Sequence, residues 1–183
     1  MTARRLRFRA RDGLMLSALD HPGAEGRTPV LCLPGLTRCA EDFSAIAARH
    51  APGRRVLALD HAGHGESAPA SDVGRYRIEE SLRDVLDAMA ALHCPRAVII
   101  GTSFGGMLAM VLGVLRPTAI AGVVLNDIGP VLEPEGLAQV RDFIARDPAL
   151  RDLDAVVTYL QAVLPPLTID EAGWYRFAAN TFR

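Results

Sequence analysis

In residues 97–108 a short apolar run leads into the motif Gly-Thr-Ser-Phe-Gly-Gly, which permits few backbone arrangements. A second apolar run continues to Leu115, with the composition of a buried helix. The pattern G-x-S-x-G between a strand and a helix requires a sharp turn at the serine. Gly101 and Gly105 lack a Cβ, so the strand and the helix can approach closely. We therefore expect Ser103 at the tip of the turn, strained, with its hydroxyl projecting and unpaired helix N–H groups beside it.

The segments before and after this turn alternate between apolar runs and amphipathic stretches. An antiparallel pair, Arg5–Ala10 and Leu14–Leu19, is predicted first because the tight-turn signal Asp-Gly separates two strand-like runs. Continuous apolar runs then predict strands buried on both faces. Amphipathic spacing predicts the intervening helices. The predicted buried strands are Val30–Leu33, Val56–Leu59, Ala97–Ile100 and Ile120–Leu125, and the predicted helices are Glu41–His50, Ile78–Leu92 and Met107–Leu115. This order predicts an α/β fold, a three-layer αβα sandwich with a mostly parallel sheet.

Composition excludes several classes of function. The 183 residues carry a net charge of -1, so no strong field attracts nucleic acid or an anionic membrane. The basic N-terminus has no apolar segment of the kind found in signal peptides. Three cysteines without metal-type spacing indicate reduced thiols and a cytoplasmic protein. Residues 97–115 are uncharged over 19 positions, but glycines interrupt them, so a strand followed by a helix explains them better than a membrane span.

The glycine-rich segment after the second buried strand resembles two other kinds of site only formally. Residues 63–68 fit G-x-G-x-x-A, but Pro69 follows where a dinucleotide site needs a helix. His61 and His64 have the spacing of metal ligands, but no third ligand accompanies them. We therefore predict no cofactor and no metal.

Residues 131–183 differ in character from the rest. Three helical stretches are predicted, Pro134–Arg146, Leu153–Leu164 and Ile169–Phe182, with no strand. Six of the ten aromatic residues lie here, including Phe143 and Trp174. Such a segment is either a small helical packing unit or a lid whose apolar underside covers a site. We predict two domains, a core over 1–130 and a helical lid over 131–183, with Phe143 and Trp174 facing the substrate.

Three motifs together resemble the α/β-hydrolase superfamily, especially its small serine esterases and lactonases. They are Leu33-Pro34-Gly35-Leu36, then Asp60-His61-Ala62-Gly63-His64-Gly65-Glu66-Ser67, then Gly101 to Gly106. The resemblance implies a serine hydrolase that cleaves a small-molecule ester or lactone through an acyl-enzyme on Ser103. It also implies that the backbone N–H groups of Leu36 and Phe104 form the oxyanion hole. Cleavage of thioesters or carbon–carbon bonds remains an alternative within the superfamily.

The resemblance leaves the general base and its acid unassigned. The family order is serine, acid, histidine, yet all five histidines precede Ser103. Asp127 follows the last predicted strand and is a candidate acid, although a loop-capping role explains it better. We expect the 183 residues alone to be inactive, and the gene product to be longer by roughly 80 to 110 residues. A separate C-terminal fragment of the same protein is then a candidate partner. A binding module that keeps the pocket without turnover is the alternative from another functional class.

Overall fold

A computed structural model describes residues 2–145, 148–164 and 166–182. Its first part contains one six-stranded sheet with the order β1-β2-β4-β3-β5-β6. The antiparallel pair β1 and β2 joins β4 antiparallel, whereas β4, β3, β5 and β6 run parallel. The predicted α/β fold with a mostly parallel sheet is thus confirmed. The strands are β1 (Arg4–Arg9), β2 (Met15–His21), β3 (Val30–Leu33), β4 (Val56–Asp60), β5 (Ala97–Thr102) and β6 (Ile120–Asn126).

Helices cover both faces of the sheet. Successive residues of a strand point to opposite sides, so each strand contributes to an apolar cluster on each face. Leu31 and Leu33 of β3 belong to one apolar cluster with Val85 and Leu112, from the second and third helices. Val30 and Cys32 belong to a second cluster with Ala47, from the first helix. The two clusters join the sheet to a helical layer on each face, which gives the three layers of the predicted sandwich. The helices are α1 (Ser44–His50), α2 (Ile78–Ala91), α3 (Phe104–Leu115), α4 (Pro134–Ile144), α5 (Leu153–Val163) and α6 (Glu171–Thr181).

Element boundaries differ from the predicted ones where local hydrogen bonding sets them. The predicted helix from Glu41 is a 3-10 helix over Ala40–Phe43 followed by α1. α6 begins after Asp170, whose carboxylate accepts a hydrogen bond from the Gly173 N–H at 2.7 Å and so caps the helix. Helix α3 starts directly after Ser103 rather than at Met107, where the sequence predicts its start. The predicted end of the α4 stretch, Arg146, lies outside the described residues.

The chain divides into two compact units, 1–130 and 131–183. The first unit holds the sheet, α1, α2 and α3. The second holds α4, α5 and α6, and its described residues contain no strand. Its own apolar core consists of Val156, Val157, Leu160, Trp174 and Ala178.

β6 forms one edge of the sheet. It pairs with β5, and no other strand of the described residues pairs with it. Val123, Val124 and Leu125 of β6 are 40%, 50% and 36% exposed. An apolar strand edge that remains open is a template for further pairing.

The uncharged run 97–115 is shared between β5 and α3, as the sequence predicts. Across the described parts of the chain, no helix combines the length and the apolar character needed to cross a membrane.

Candidate active site

Ser103 lies between the last residue of β5 and the first residue of α3. Its backbone has φ 49° and ψ -113°, a conformation that favours glycine, so the strain predicted at this position is present. Hydrogen bonds on both sides hold it: the Ser103 N–H donates to the Asn126 carbonyl oxygen at 3.0 Å, and the Ser103 carbonyl accepts from Gly106 N–H at 2.8 Å. The serine side chain is therefore presented by a rigid turn at the carboxyl edge of the parallel strands, where ligands bind in sheets of this kind.

The glycines around Ser103 occupy positions where a side chain does not fit. A Cβ on Gly101 would lie 2.5 Å from the Gly105 carbonyl oxygen. A Cβ on Gly105 would lie 2.1 Å from the carbonyl oxygen of Leu33 in β3. The start of α3 thus rests against two neighbouring strands, which a larger residue at either position would push away.

The two candidate oxyanion donors belong to segments that meet at the serine. Phe104 directly follows Ser103 and opens α3, so its N–H lies at the positive end of the helix dipole. Leu36 follows Gly35, and a Cβ on Gly35 would lie 3.8 Å from the Ser103 Cβ. No hydrogen bond within the described residues uses the N–H of Leu36 or of Phe104. Both N–H groups therefore remain available to an incoming oxyanion.

No histidine hydrogen-bonds to Ser103 in the part of the chain that the structure describes. His21 pairs with Val56 at the amino end of β4, which is the opposite edge of the sheet. His50 and His93 are exposed, and each lies in the segment before the amino end of a parallel strand. His64 contacts the Ala62 carbonyl oxygen through Nδ1 at 2.9 Å.

His61 directly follows β4 and so lies at the same carboxyl edge of the parallel strands as Ser103, but its ring already contacts other residues. Its Nε2 lies 3.1 Å from the Pro34 carbonyl oxygen, and its ring packs against Phe104. Burial lowers the pKa of His61 to about 4. A general base works best with a pKa near the operating pH, so His61 is poorly suited to that role.

Asp127, the candidate acid, follows the last residue of β6. It is exposed and adopts φ 55°, a left-handed conformation that aspartate tolerates in turns. No hydrogen bond or ion pair reaches its carboxylate from the described part of the chain. This placement is that of a loop residue, and the role of Asp127 as an acid stays a prediction.

A buried ion pair that sequence reasoning missed supports the loops around the site. The Asp60 carboxylate is fully buried, accepts from Ala40 N–H at 2.8 Å and Glu66 N–H at 3.2 Å, and pairs with Arg5 at 2.6 Å. Burial raises the pKa of Asp60. Since Ala40 follows β3 and Glu66 follows β4, this carboxylate ties both loops to one point. Asp60 opens the glycine-rich motif that the sequence shows, but Arg5, which pairs with its carboxylate, is 55 residues away in the chain.

The two predicted lid residues have different surroundings in the second unit. Trp174 is 9% exposed and packs in the core of that unit, whereas Phe143 on α4 is 39% exposed. Phe143 has the exposure that a substrate contact requires, and Trp174 has a packing role within the unit. Contact of either residue with a substrate stays a prediction.

Comparisons with known proteins agree with this fold. The family model described as the alpha/beta hydrolase fold matches residues 28–164. A 3-hydroxybutyrate-oligomer hydrolase of Cupriavidus necator is 28% identical over 73% of this chain and 46% of its own length. The sn-1-specific diacylglycerol lipase ABHD11 of Mus musculus is 31% identical over 63% of this chain and 37% of its own length.

A solved structure extends the match to nearly the whole chain. The crystal structure of an alpha/beta hydrolase from Novosphingobium aromaticivorans is 36% identical, with a TM-score of 0.89 over 97% of this chain and 63% of that chain. The present chain spans less than half of the two curated relatives and under two thirds of this structure. With its family model matched over most of its length, the chain belongs to the α/β-hydrolase fold family.

Proposed function

We propose that this protein is a serine hydrolase that cleaves a carboxylic ester or lactone through an acyl-enzyme on Ser103. The observation that carries the proposal is the strained Ser103 at the β5–α3 junction, next to Phe104 and near Gly35, since neither the Phe104 nor the Leu36 N–H has an acceptor within the described residues. Two similar proteins are named as a lipase and as an oligomer hydrolase, which supports hydrolysis of an ester. We also propose a cytoplasmic location, because the three cysteines are free thiols, as is usual in a reducing compartment.

The proposed reaction has two halves. The Ser103 Oγ attacks the carbonyl carbon while a base takes its proton, and the resulting oxyanion accepts hydrogen bonds from the Leu36 and Phe104 N–H groups. The ester C–O bond then breaks, and the proton passes to the leaving alkoxide. Water adds to the acyl-enzyme in the same way, and the C–O bond to Ser103 breaks. The products are the carboxylic acid and the alcohol, or a hydroxy acid when the substrate is a lactone.

The base in this scheme is proposed to come from residues outside the present sequence. No hydrogen bond of the described residues joins a histidine to Ser103, and His61 already bonds to the Pro34 carbonyl oxygen. The matched relatives are considerably longer than the matched region. The open apolar edge of β6 offers a place for additional strands that would carry a histidine and its carboxylate to the site.

The proposal is tested on the full gene product with a fluorophosphonate probe and a panel of esters, lactones and thioesters. Ser103→Ala should abolish labelling and essentially all turnover, since the members of such a site act as a unit. Ser71→Ala, at an exposed serine of the same unit, should retain both. Near-normal hydrolysis by Ser103→Ala would contradict the proposal. Faster turnover of thioesters than of esters would shift the substrate class.

A binding module without turnover is the second candidate, favoured because no histidine among the described residues hydrogen-bonds to Ser103. It predicts that the wild-type full gene product binds apolar esters, while neither the probe nor any substrate reacts at Ser103. Covalent labelling of Ser103 followed by turnover would exclude it.

A further inference from the structure

One buried histidine of the first unit has no part in the proposed acyl transfer. His61 directly follows β4 and is only 5% exposed. Its Nε2 lies 3.1 Å from the carbonyl oxygen of Pro34. A carbonyl oxygen only accepts hydrogen bonds, so Nε2 must carry the proton and donate it. Pro34 lies two residues before Leu36, which carries one of the two candidate oxyanion donors.

The same imidazole also contacts the segment that carries the other donor. The rings of His61 and Phe104 have centroids 5.3 Å apart and planes at 78°, an edge-to-face arrangement. Such pairs are favourable beyond the area that they bury. His61 thus touches the loop after β3 through its N–H and the start of α3 through its ring.

The surroundings of His61 keep the ring in this single state. With the proton on Nε2, Nδ1 has only a lone pair, and Nδ1 is buried without a partner in the described residues. Protonation of Nδ1 would place a charged group in the interior with no acceptor for the new N–H. Burial accordingly lowers the pKa of His61 to about 4, and the ring is neutral near pH 7.

We propose that His61 is a positioning residue for the oxyanion hole, because its Nε2–H holds the Pro34 carbonyl while its ring packs on Phe104. It would thereby keep the N–H groups of Leu36 and Phe104 at a fixed separation. The inference rests on the function proposed above for those two groups. Preorganised donors stabilise the transition state because they need no rearrangement when charge develops. A displacement of about 1 Å in such a site can lower the rate roughly 100-fold.

Three variants of the full gene product separate the two contacts. His61→Phe keeps an aromatic ring but removes the donor to Pro34, whereas His61→Gln keeps an N–H donor and removes the ring. His64→Gln is the matched control, because His64 lies in the same loop and bonds to Ala62 instead. For p-nitrophenyl acetate, kcat should fall about 10- to 100-fold in His61→Phe with KM nearly unchanged. His61→Gln should recover part of kcat, and the control should match the wild type.

Inhibition by a trifluoromethyl ketone gives a second measure, because its adduct with the serine carries the same oxyanion. Its inhibition constant should rise in His61→Phe by about the same factor as kcat falls. A melting temperature that drops while kcat of the folded enzyme stays normal would mean a purely structural role and would overturn the proposal.

Nuclear magnetic resonance supplies a readout that does not depend on turnover. Nitrogen-15 spectra of the imidazole should show the Nε2–H form in the wild type near pH 7. The amide signals of Leu36 and Phe104 should both move in His61→Phe and remain in place in His64→Gln. If the wild type hydrolyses nothing, the proposed function fails and these amide signals alone decide the positioning role. A proton on Nδ1, or unmoved amide signals, would overturn it. If His61→Phe does not fold, the positioning role is decided by the imidazole tautomer of the wild type and by the His61→Gln variant.

Discussion

The packing of α3 against the sheet predicts opposite effects for the same substitution at two positions of one helix. A Cβ on Gly105 would lie 2.1 Å from the Leu33 carbonyl oxygen and 2.8 Å from the Leu33 Cβ. A Cβ on Gly113 would have no atom within 4 Å. Gly105→Ala should therefore destabilise the protein strongly, and Gly113→Ala should stabilise it.

The size of the Gly105 effect follows from what would have to move. The clashing atom is backbone of β3, which lies between β4 and β5, so it cannot swing aside as a side chain can. An ordinary contact begins at 3.4 Å, so α3 and β3 would have to separate by about 1.3 Å or more. Overpacking a core costs about 1–3 kcal/mol when side chains can yield. We expect a loss of about 3 kcal/mol or more, against a typical total of about 5–15 kcal/mol.

The gain at Gly113 has a different source. Alanine loses less backbone entropy than glycine in a helix, which is worth about 0.5–1 kcal/mol. For a chain of this size, 1 kcal/mol corresponds to about 2–4 °C in melting temperature. Gly105→Ala should lower the melting temperature by about 6–12 °C, and Gly113→Ala should raise it by about 1–4 °C.

Urea unfolding followed by far-ultraviolet circular dichroism measures both effects. The single tryptophan, Trp174, lies in α6 of the second unit, so its fluorescence reports on that unit and not on α3. A free energy of unfolding for Gly105→Ala within about 0.5 kcal/mol of the wild type would refute the close contact between α3 and β3. Equal losses at Gly105 and Gly113 would refute the distinction between the two positions.

Three further predictions concern the serine, the buried histidine and the second unit. Ser103→Gly should be more stable to urea than Ser103→Ala by about 1 kcal/mol or more, since only glycine relieves the strain at φ 49°; equal midpoints would contradict this. His61 is neutral when folded above its pKa of about 4 but titrates near its ordinary value of 6.5 when unfolded, so stability should fall by about 3 kcal/mol as the pH decreases through that interval. His61→Phe should lack this pH-dependent loss of stability. A pH–stability curve of His61→Phe parallel to that of the wild type would contradict the prediction. Trp174→Ala should destabilise the second unit by about 3–5 kcal/mol, whereas Phe143→Ala should leave its stability nearly unchanged and alter selectivity among esters; unaltered selectivity would remove Phe143 from the proposed lid.

The elements of the first unit and the place of its serine can be predicted from local sequence patterns. Buried parallel strands are continuous apolar runs, and the turn at Ser103 needs glycines at 101 and 105, so both leave signals within a few residues. The antiparallel start is equally local, because it depends on one turn between two alternating runs. These predictions depend on backbone geometry that neighbouring residues dictate.

Which of these residues contact one another follows from the three-dimensional arrangement of the strands and helices. The pairing of Asp60 with Arg5 and the contact of His61 with both Pro34 and Phe104 join segments that are distant in the chain. Trp174 and Phe143 look alike as aromatic residues of amphipathic helices, yet one is buried in a core and the other is exposed. Burial and long-range hydrogen bonds depend on how strands are ordered and helices packed, and a single sequence carries no local signal for that order.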